Sequence, residues 1–483
     1  MRSPSANTLL FYDYETFGQS PALDRPCQFA AIRTNEQLEI IDAPVELYCK
    51  PPPDYLPAPE ACLVHGITPQ MAIERGVIEP DFIQSIHTEL SRPGTCSVGY
   101  NSNSFDASVT RNSLYRNLHC PYEGLYNNGQ SQWDILNLAR ACFALRPEGI
   151  KWPVLEDRPS LRLEDLAFAN DIDHSAHDAL SDVKATIELA KLINDQQPKL
   201  TGWIFAHRTK DKIYQFASQN FGKPMLYISS YVGNAQRYCT IVCCIGELYY
   251  DNQNPQNSIP HSLICIDLLK ETKPLFELTA EDLRDLLYTK AVDQGPNHYR
   301  PPVYKVKLNQ FPTLLPIQGL LPADAKRLRF DEAKYTENLR RFAHLQKLKD
   351  KISPILDGND FERLNLDVDE QLYDGFYKWH DKNLLRKIRA SNGNLESLPF
   401  DQCNQRIPEL YFRFKGRYHT ELMSENERSK WYSHLHSKVC GPYDSYMQHL
   451  NSLIQSHSGK DLSILQAVSN YATELKNEIE SMS

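Results

Sequence analysis

No apolar run in this 483-residue chain approaches a membrane span; "TIVCCIG" is among the longer uninterrupted stretches. A helix crossing a bilayer needs about 20 such residues. Low-complexity tracts and evident repeats are also missing, which leaves the composition of a soluble globular protein. The opening "MRSPSANTLLFYDYE" lacks the apolar core of a secretory leader, because a tyrosine and two carboxylates follow the first leucines at once. A cytoplasmic protein without membrane association is therefore expected. The twelve cysteines include no Cys-x-x-Cys, their spacing is irregular, and Cys243 and Cys244 are adjacent. Reduced, mostly buried thiols are expected, and neither a disulfide framework nor a zinc site.

An excess of positive charge is missing too. The net charge is -9, whereas a nucleic-acid binder is often basic. Net charge is a mean, however, and local clusters count within a Debye length of about 8–10 Å. Basic groups gather in "RTKDK", "AKRLRF", "LRRFAHLQKLKDK", "LLRKIR" and "RFKGRYH". Taken singly, each reads as a solvated helix face. Together, local basic stripes on an acidic chain suit a protein that holds a polyanion in a groove and then releases it.

A chain this long exceeds one ordinary core, so two or three domains are expected. Residues 1–196 alternate strands and helices. "LLFYDYETF", "QFAAIRT", "QLEIID" and "VELYC" read as strands, and "PDFIQSIHTELS" has helical spacing. The strand "TCSVGYN" precedes a helix, "SFDASVTRNSLYRNL", with Ser104 as its expected N-cap. "WDILNLARACFAL", "SLRLEDLAFAN" (stopped by Asn170) and "SAHDALSDVKATIELAKLI" complete a mixed sheet with helices on its faces. After the break "NDQQPKL", residues 197–355 open with one helix-like segment, "GWIFAHRTKDKIYQFAS". The β-rich runs "PMLYISSYV", "RYCTIVCCIGELYY" and "SLICIDLL" follow, the pattern of a small barrel decorated with helices. Residues 356–483 read as all-helical.

What is present is unusual at one point. "LLFYDYETFG" reads as a buried strand, yet it contains Asp13 and Glu15. Side chains two apart share a strand face, so Leu9, Phe11, Asp13 and Glu15 point one way. Paired carboxylates in an apolar wall repel and are costly to desolvate unless a proton or a cation relieves them. A hard divalent metal is the usual relief. Asp-x-Glu alone is weak, since roughly two matches arise by chance in this length. The second copy, Asp360-Phe361-Glu362, lies in a polar stretch and reads as a solvated turn.

The late helix supplies partners. Ser175 followed by Asp178 resembles a capping box, which places His177 in the first turn and Asp182 more than a turn later. His177 then faces a cleft while Asp182 points toward the sheet. Asp106 follows "GYNSNSF" at a helix start, where simple dipole compensation would also explain it. The joint order is more telling than any member. Asp-x-Glu on the first strand, Asp at a helix start, then His and Asp five residues apart is the pattern of the DEDDh exonucleases of the ribonuclease-H-like fold. In that chemistry two divalent ions about 3.5–4 Å apart clamp the scissile phosphate, and four carboxylates hold them. A histidine takes the proton from the attacking water.

Several further stretches, "PALDRPCQFAAIRT", "YCKPPPDYLP", "GITPQ", "SFDASVTRNSLYRN", "ACFALRPEGIKWP" and "AHDALSDVKATI", together resemble the bacterial exonuclease I (exodeoxyribonuclease I) family. The resemblance implies a ribonuclease-H-like mixed-sheet exonuclease domain (1–196), an SH3-like β-barrel domain with helices (197–355) and a helical C-terminal domain (356–483). It implies a monomeric enzyme with two Mg2+ ions, Mn2+ being a substitute, that degrades single-stranded DNA from the 3′ end to 5′-mononucleotides and serves in DNA repair and recombination. It further implies binding to the acidic C-terminal tail of the single-stranded DNA-binding protein. Carried over by position, Asp13, Glu15, Asp106 and Asp182 are metal ligands and His177 is the general base. Glu15 also meets the terminal nucleotide, Arg162 binds substrate, and Arg111, Tyr122, Tyr126 and Arg140 touch the strand. Arginines neutralise phosphates, and tyrosine rings stack on bases of any sequence. For the acidic tail, Lys223 and Arg327 are the candidates.

Two departures from the family pattern stand out. Ser102 occupies the place of a second asparagine after Asn101, and the segment between "DIDHS" and "AHD" is one residue short. Two other readings use the same residues: an RNA-directed DEDDh 3′ exoribonuclease, and a non-catalytic single-strand-binding protein. The first usually lacks the two following domains, and the second usually loses one of the acids.

Overall fold

A computed structural model describes residues 7–125, 129–234, 237–250, 259–289, 299–342, 345–357, 366–391, 393–394 and 402–482. The chain divides into two compact units. The first comprises residues 1–131, 173–188 and 363–483, the second residues 132–172 and 189–362. The N-terminal α/β segment and the C-terminal helices thus fold as one body. Phe17, Cys27, Cys62 and Ile67 share a core with Leu450, Ile464, Leu465 and Val468.

In the first unit, β1 (Thr8–Thr16), β2 (Pro26–Thr34), β3 (Val45–Tyr48) and β4 (Thr95–Gly99) run in the order β3-β2-β1-β4. β1 is antiparallel to β2 and parallel to β4, so the sheet is mixed as expected. The alternation along β1 decides its two faces. Leu10, Tyr12 and Tyr14 pack with Phe29, Phe82, Ile83, Ile86 and Leu114, beneath the helices Glu79–Leu90 and Asp106–Arg116. Leu9 and Phe11 are buried on the opposite face, and Asp13 and Glu15 follow them at the strand's end, each half-buried. The parallel pairing with β4 runs from Thr8↔Thr95 to Phe11↔Val98. β1 therefore projects beyond its neighbour there. At the end of β4, Gly99 makes room for the Ser102 side chain, which a Cβ there would meet at 2.5 Å.

Several local expectations give way to side-chain chemistry. "QLEIID" is no strand. Asn35 Oδ1 accepts from the amides of Gln37 and Glu39 and winds the segment into a turn, leaving one bridge, Thr34↔Ile40. Ser104 does not cap the next helix, because its hydroxyl turns back to Asn101 O at 2.8 Å and the N-cap is Phe105. Ser175 caps nothing either. Asp178 takes that role, its Oδ1 accepting from Ser181 N at 2.9 Å, and the helix runs Ala179–Gln196. His177 consequently stands before the helix and not in its first turn.

In the second unit, "GWIFAHRTKDKIYQFAS" is two helices, Pro198–Ala206 and Lys210–Gln219, broken where Thr209 caps the second. The strands β5 (Pro224–Ile228), β6 (Cys239–Leu248), β7 (Ser262–Asp267), β8 (Val303–Lys307) and β9 (Thr313–Pro316) form an antiparallel sheet in the order β8-β7-β6-β5-β9. Its core holds Met225, Val242, Leu263, Val306 and Leu314. All twelve cysteines are free thiols, and ten are buried, as expected of small hydrophobes. The second Asp-x-Glu, Asp360 to Glu362, lies outside the described residues.

Candidate active site

Four carboxylates gather where β1 outruns β4. Oxygen atoms of Asp13, Glu15 and Asp182 lie within 4.8 Å of one another. Asp106, buried at the start of its helix, accepts the Tyr14 amide on Oδ1 at 3.1 Å. It thereby takes over an amide of β1 beyond the pairing with β4. The fourth acid is thus tied to the backbone between the first two.

The helix that brings Asp182 is set against β2 by Gln28, the cross-strand partner of Glu15. Gln28 Oε1 accepts from Ala179 N at 3.4 Å while its amide donates to Glu46 at 3.0 Å and Tyr48 at 3.2 Å. Sequence reasoning missed this buried glutamine. Its signal was register: the residue opposite Glu15 on β2 had to face the same site.

Electrostatics mark the cluster. Burial, then the charges of Asp106, Glu15, Asp182 and Asp178, hold the Asp13 carboxyl well above the usual carboxylate range. Burial, then Asp182, Asp106 and Asp178, pushes Glu15 up to about 8. Burial raises Asp182 as well, opposed by its hydrogen bond from His174. The strongest neighbouring charges on Asp13 and Glu15 are all carboxylates. An all-oxygen donor set of mutually repelling carboxylates fits a hard divalent ion.

His177 lies in the turn before the helix, exposed, with φ +63°, close enough to Asp182 to favour its ionised form. The histidine that touches the acids is another one. His174 Nε2 stands 2.5 Å from Asp182 Oδ1, its side chain 7% exposed. Two histidines three apart in "DHSAHD" were visible, but the loop path that sends the first inward was not.

The remaining positions divide between the units. In the first, Arg111 is half-buried on the Asp106 helix and donates to Ser108 Oγ at 3.1 Å. The Tyr122 ring lies 5.5 Å from Phe376; Tyr126 is outside the described residues. In the second, Arg140 donates to Asn137 Oδ1 at 2.8 Å with its guanidinium 6.0 Å from the Tyr238 ring. Arg162, 75% exposed, pairs with Glu164 at 3.3 Å. Lys223 is exposed, and Arg327 pairs with Asp324 at 2.7 Å. One basic run is neither a solvated face nor a groove: Arg413, Lys415 and Arg417 of "RFKGRYH" are buried in ion pairs.

Comparison with known proteins agrees over nearly the whole length. Residues 10–190 match the exonuclease family, 208–358 the exonuclease I SH3-like domain and 366–475 the exonuclease I C-terminal domain. Exodeoxyribonuclease I of Haemophilus influenzae is 39% identical over 476 residues, covering 97% of this chain and 98% of that protein. A zinc-bound Escherichia coli ExoI–ssDNA complex superposes with a TM-score of 0.87 at 37% identity, covering 97% of this chain and 99% of that one. A structure of SSB/Exonuclease I with the inhibitor CFAM gives 0.84 at 36% identity, covering 98% and 100%.

Proposed function

Because the chain belongs to the exonuclease I family, we propose that it hydrolyses single-stranded DNA from the 3′ end, releasing 5′-mononucleotides with the aid of bound Mg2+. One observation carries this reading: three carboxylate oxygens lie within 4.8 Å of one another, and the neighbouring charges that raise Asp13 and Glu15 are all carboxylates. Asp13, Glu15 and Asp182 would hold the metal, with Asp106 as the fourth acid, and two ions suit this number of carboxylates. When bound, the metal polarises the scissile phosphate and steadies charge on the attacking and leaving oxygens. Mn2+, with the same preference for oxygen, substitutes.

The chain's own groups do the rest. His177, on an exposed turn at the helix start, accepts the proton of the attacking water. The water oxygen bonds to phosphorus, the bond to the 3′ oxygen of the preceding nucleotide breaks, and that oxygen gains a proton. Glu15 meets the terminal nucleotide and Arg162 binds substrate. Arg111 and Arg140 neutralise phosphates, while Tyr122 and Tyr126 offer ring faces to bases. The protein acts as a cytoplasmic monomer in DNA repair and recombination. It binds the acidic tail of the single-stranded DNA-binding protein through basic groups of the middle domain, Lys223 and Arg327 among them. The resemblance to an SSB/Exonuclease I structure supports that partner.

The test uses 5′-labelled single-stranded DNA and its RNA counterpart, with wild type and Asp13→Ala, in Mg2+ and in EDTA. Shortening of the DNA from its 3′ end, lost on chelation and in the variant, is the expected result. Preferential loss of the RNA would overturn the substrate assignment. Binding of either strand without cleavage would overturn the activity.

A further inference from the structure

The hydrolytic reading leaves one buried group at the site unused: His174. It precedes His177 by three residues and Asp182 by eight, yet it is the one whose ring reaches the acids, Nε2 to Asp182 Oδ1 at 2.5 Å. A carboxylate only accepts, so with Asp182 ionised the Nε2 position carries the proton.

The contact is part of a laced loop and not an isolated approach. Ser175 N donates to Ser181 Oγ at 2.7 Å, and Ser181 N donates to Asp178 Oδ1 at 2.9 Å. Three hydrogen bonds thus stitch residues 174–178 onto the first turn of the Asp182 helix. His177 sits inside that stitch in the left-handed backbone region, φ +63°.

The mechanical consequence falls on Asp182. The terminal torsion of an aspartate is broad and two-fold, so an untethered carboxylate spins between orientations. A hydrogen bond to Oδ1 removes that freedom. It does not exhaust the group, because a carboxylate offers about four lone-pair sites. One remains engaged with His174, and the others stay available for a cation.

We propose that His174 is a positioning residue of the metal site, one that holds Asp182 in its ligating orientation before a divalent ion enters. The proposal rests on the metal-binding reading given above. Partners of this kind, one step removed from the metal, change its affinity by about 10–100-fold when removed.

The test is calorimetric titration of the metal-free full chain with Mn2+ at fixed pH, comparing wild type, His174→Ala, His174→Gln and His177→Ala. His174→Ala should weaken Mn2+ binding by about 10–100-fold. His174→Gln, whose amide reaches the Nε2 position, should restore most of it, and His177→Ala should leave the affinity within about threefold of wild type. In turnover, His174→Ala should raise the Mn2+ concentration for half-maximal rate far more than it lowers kcat at saturating metal. His174→Asn, too short to reach Asp182, replaces His174→Ala if unfolding in EDTA shows the latter misfolded. Mn2+ affinity unchanged or tightened in His174→Ala, or in its Asn substitute, would overturn the proposal. Absence of Mn2+ binding to wild type would instead overturn the metal site itself.

Discussion

Two buried charge clusters lie in the first unit, built from the same residue type to opposite effect. At the end of β1 the acids stand together, and Glu15 is pushed up to about 8. Where the C-terminal helices meet the N-terminal segment, the carboxylates of Asp54, Asp369 and Glu79 are buried and that of Asp367 is half-buried. There Arg417 Nη2 reaches Asp54 at 2.8 Å and Asp369 at 2.7 Å, Arg25 reaches Asp369 at 3.0 Å, and Arg116 reaches Glu79 at 2.7 Å. Burial by itself would raise Asp54, but the Arg417 charge and the hydrogen bonds from His434 and Arg417 more than reverse it. Asp367, likewise raised by burial, ends at about 2 through Arg413 and Lys438. Burial sets the same starting cost in both places. The difference is whether the chain supplies the cation or leaves it to a ligand.

The most severe way to break the comparison is to remove an acid from the unpaired cluster. Asp13→Asn should cost about 10³-fold or more in single-turnover cleavage of single-stranded DNA. In EDTA the same change should stabilise the protein by about 0.5–2 kcal/mol, since an amide in place of the raised Asp13 carboxyl removes the repulsion among the acids as pH rises. Urea unfolding reads the sign, and a destabilised metal-free variant would mean that Asp13 is already compensated.

Next comes the paired cluster, where the same logic predicts loss. Arg417→Ala leaves Asp54 with the His434 hydrogen bond in place of a full ion pair and Asp369 with weaker pairing, at a cost of about 3–5 kcal/mol. Urea midpoints should fall accordingly, with or without metal. A cost below about 1 kcal/mol would show that this ion cluster is solvated in the native state.

The two clusters also respond oppositely to pH. Below about pH 4 Glu15 is protonated in the folded and unfolded chain alike. As pH rises past its ordinary 4.5 the unfolded group ionises while the folded one keeps its proton to about 8. Metal-free stability from this site therefore falls across that window. Divalent metal should restore it most at the alkaline end and release protons as it binds. Asp367 runs the other way: its contribution is complete above its ordinary 3.8 and is lost as pH falls through about 2. Thermal unfolding in EDTA and in Mg2+, carried from about pH 1.5 to pH 9, separates the two. Curves that differ by the same amount at every pH would contradict the assignment.

Legibility in the sequence followed the range of the interaction. The faces of β1 were readable because period two is a property of four consecutive positions, and Asp13 with Glu15 broke it visibly. Asp106 and Asp182 were readable only through their order along the chain, since each alone suited a helix start or surface. The paired cluster was not readable at all. Arg417 and Asp54 are 363 positions apart and Arg25 and Asp369 are 344, so "RFKGRYH" looked like any basic helix face. Ser104 misled for a local reason, because a short hydroxyl side chain has several backbone groups within reach and turned back to Asn101, while at Ser175 the cap fell to Asp178. His174 fell between these cases, its position fixed by a loop stitched through Ser175, Asp178 and Ser181.

The smallest effect tests whether the unpaired cluster is felt beyond its own ligands. Asp178 caps the Asp182 helix through Ser181 N, and its charge also raises Asp13, Glu15 and Asp182. Asp178→Ala loses the cap, about 1 kcal/mol, but relieves repulsion among the metal-free acids. In EDTA at pH 8 the two terms oppose and the net change should be close to zero. Saturating Mg2+ neutralises the acids, removes the relief and leaves the cap loss exposed, so destabilisation should appear only in the loaded protein. The same loss with and without metal would mean that Asp178 acts as a cap alone and that the repulsive field ends at the four carboxylates.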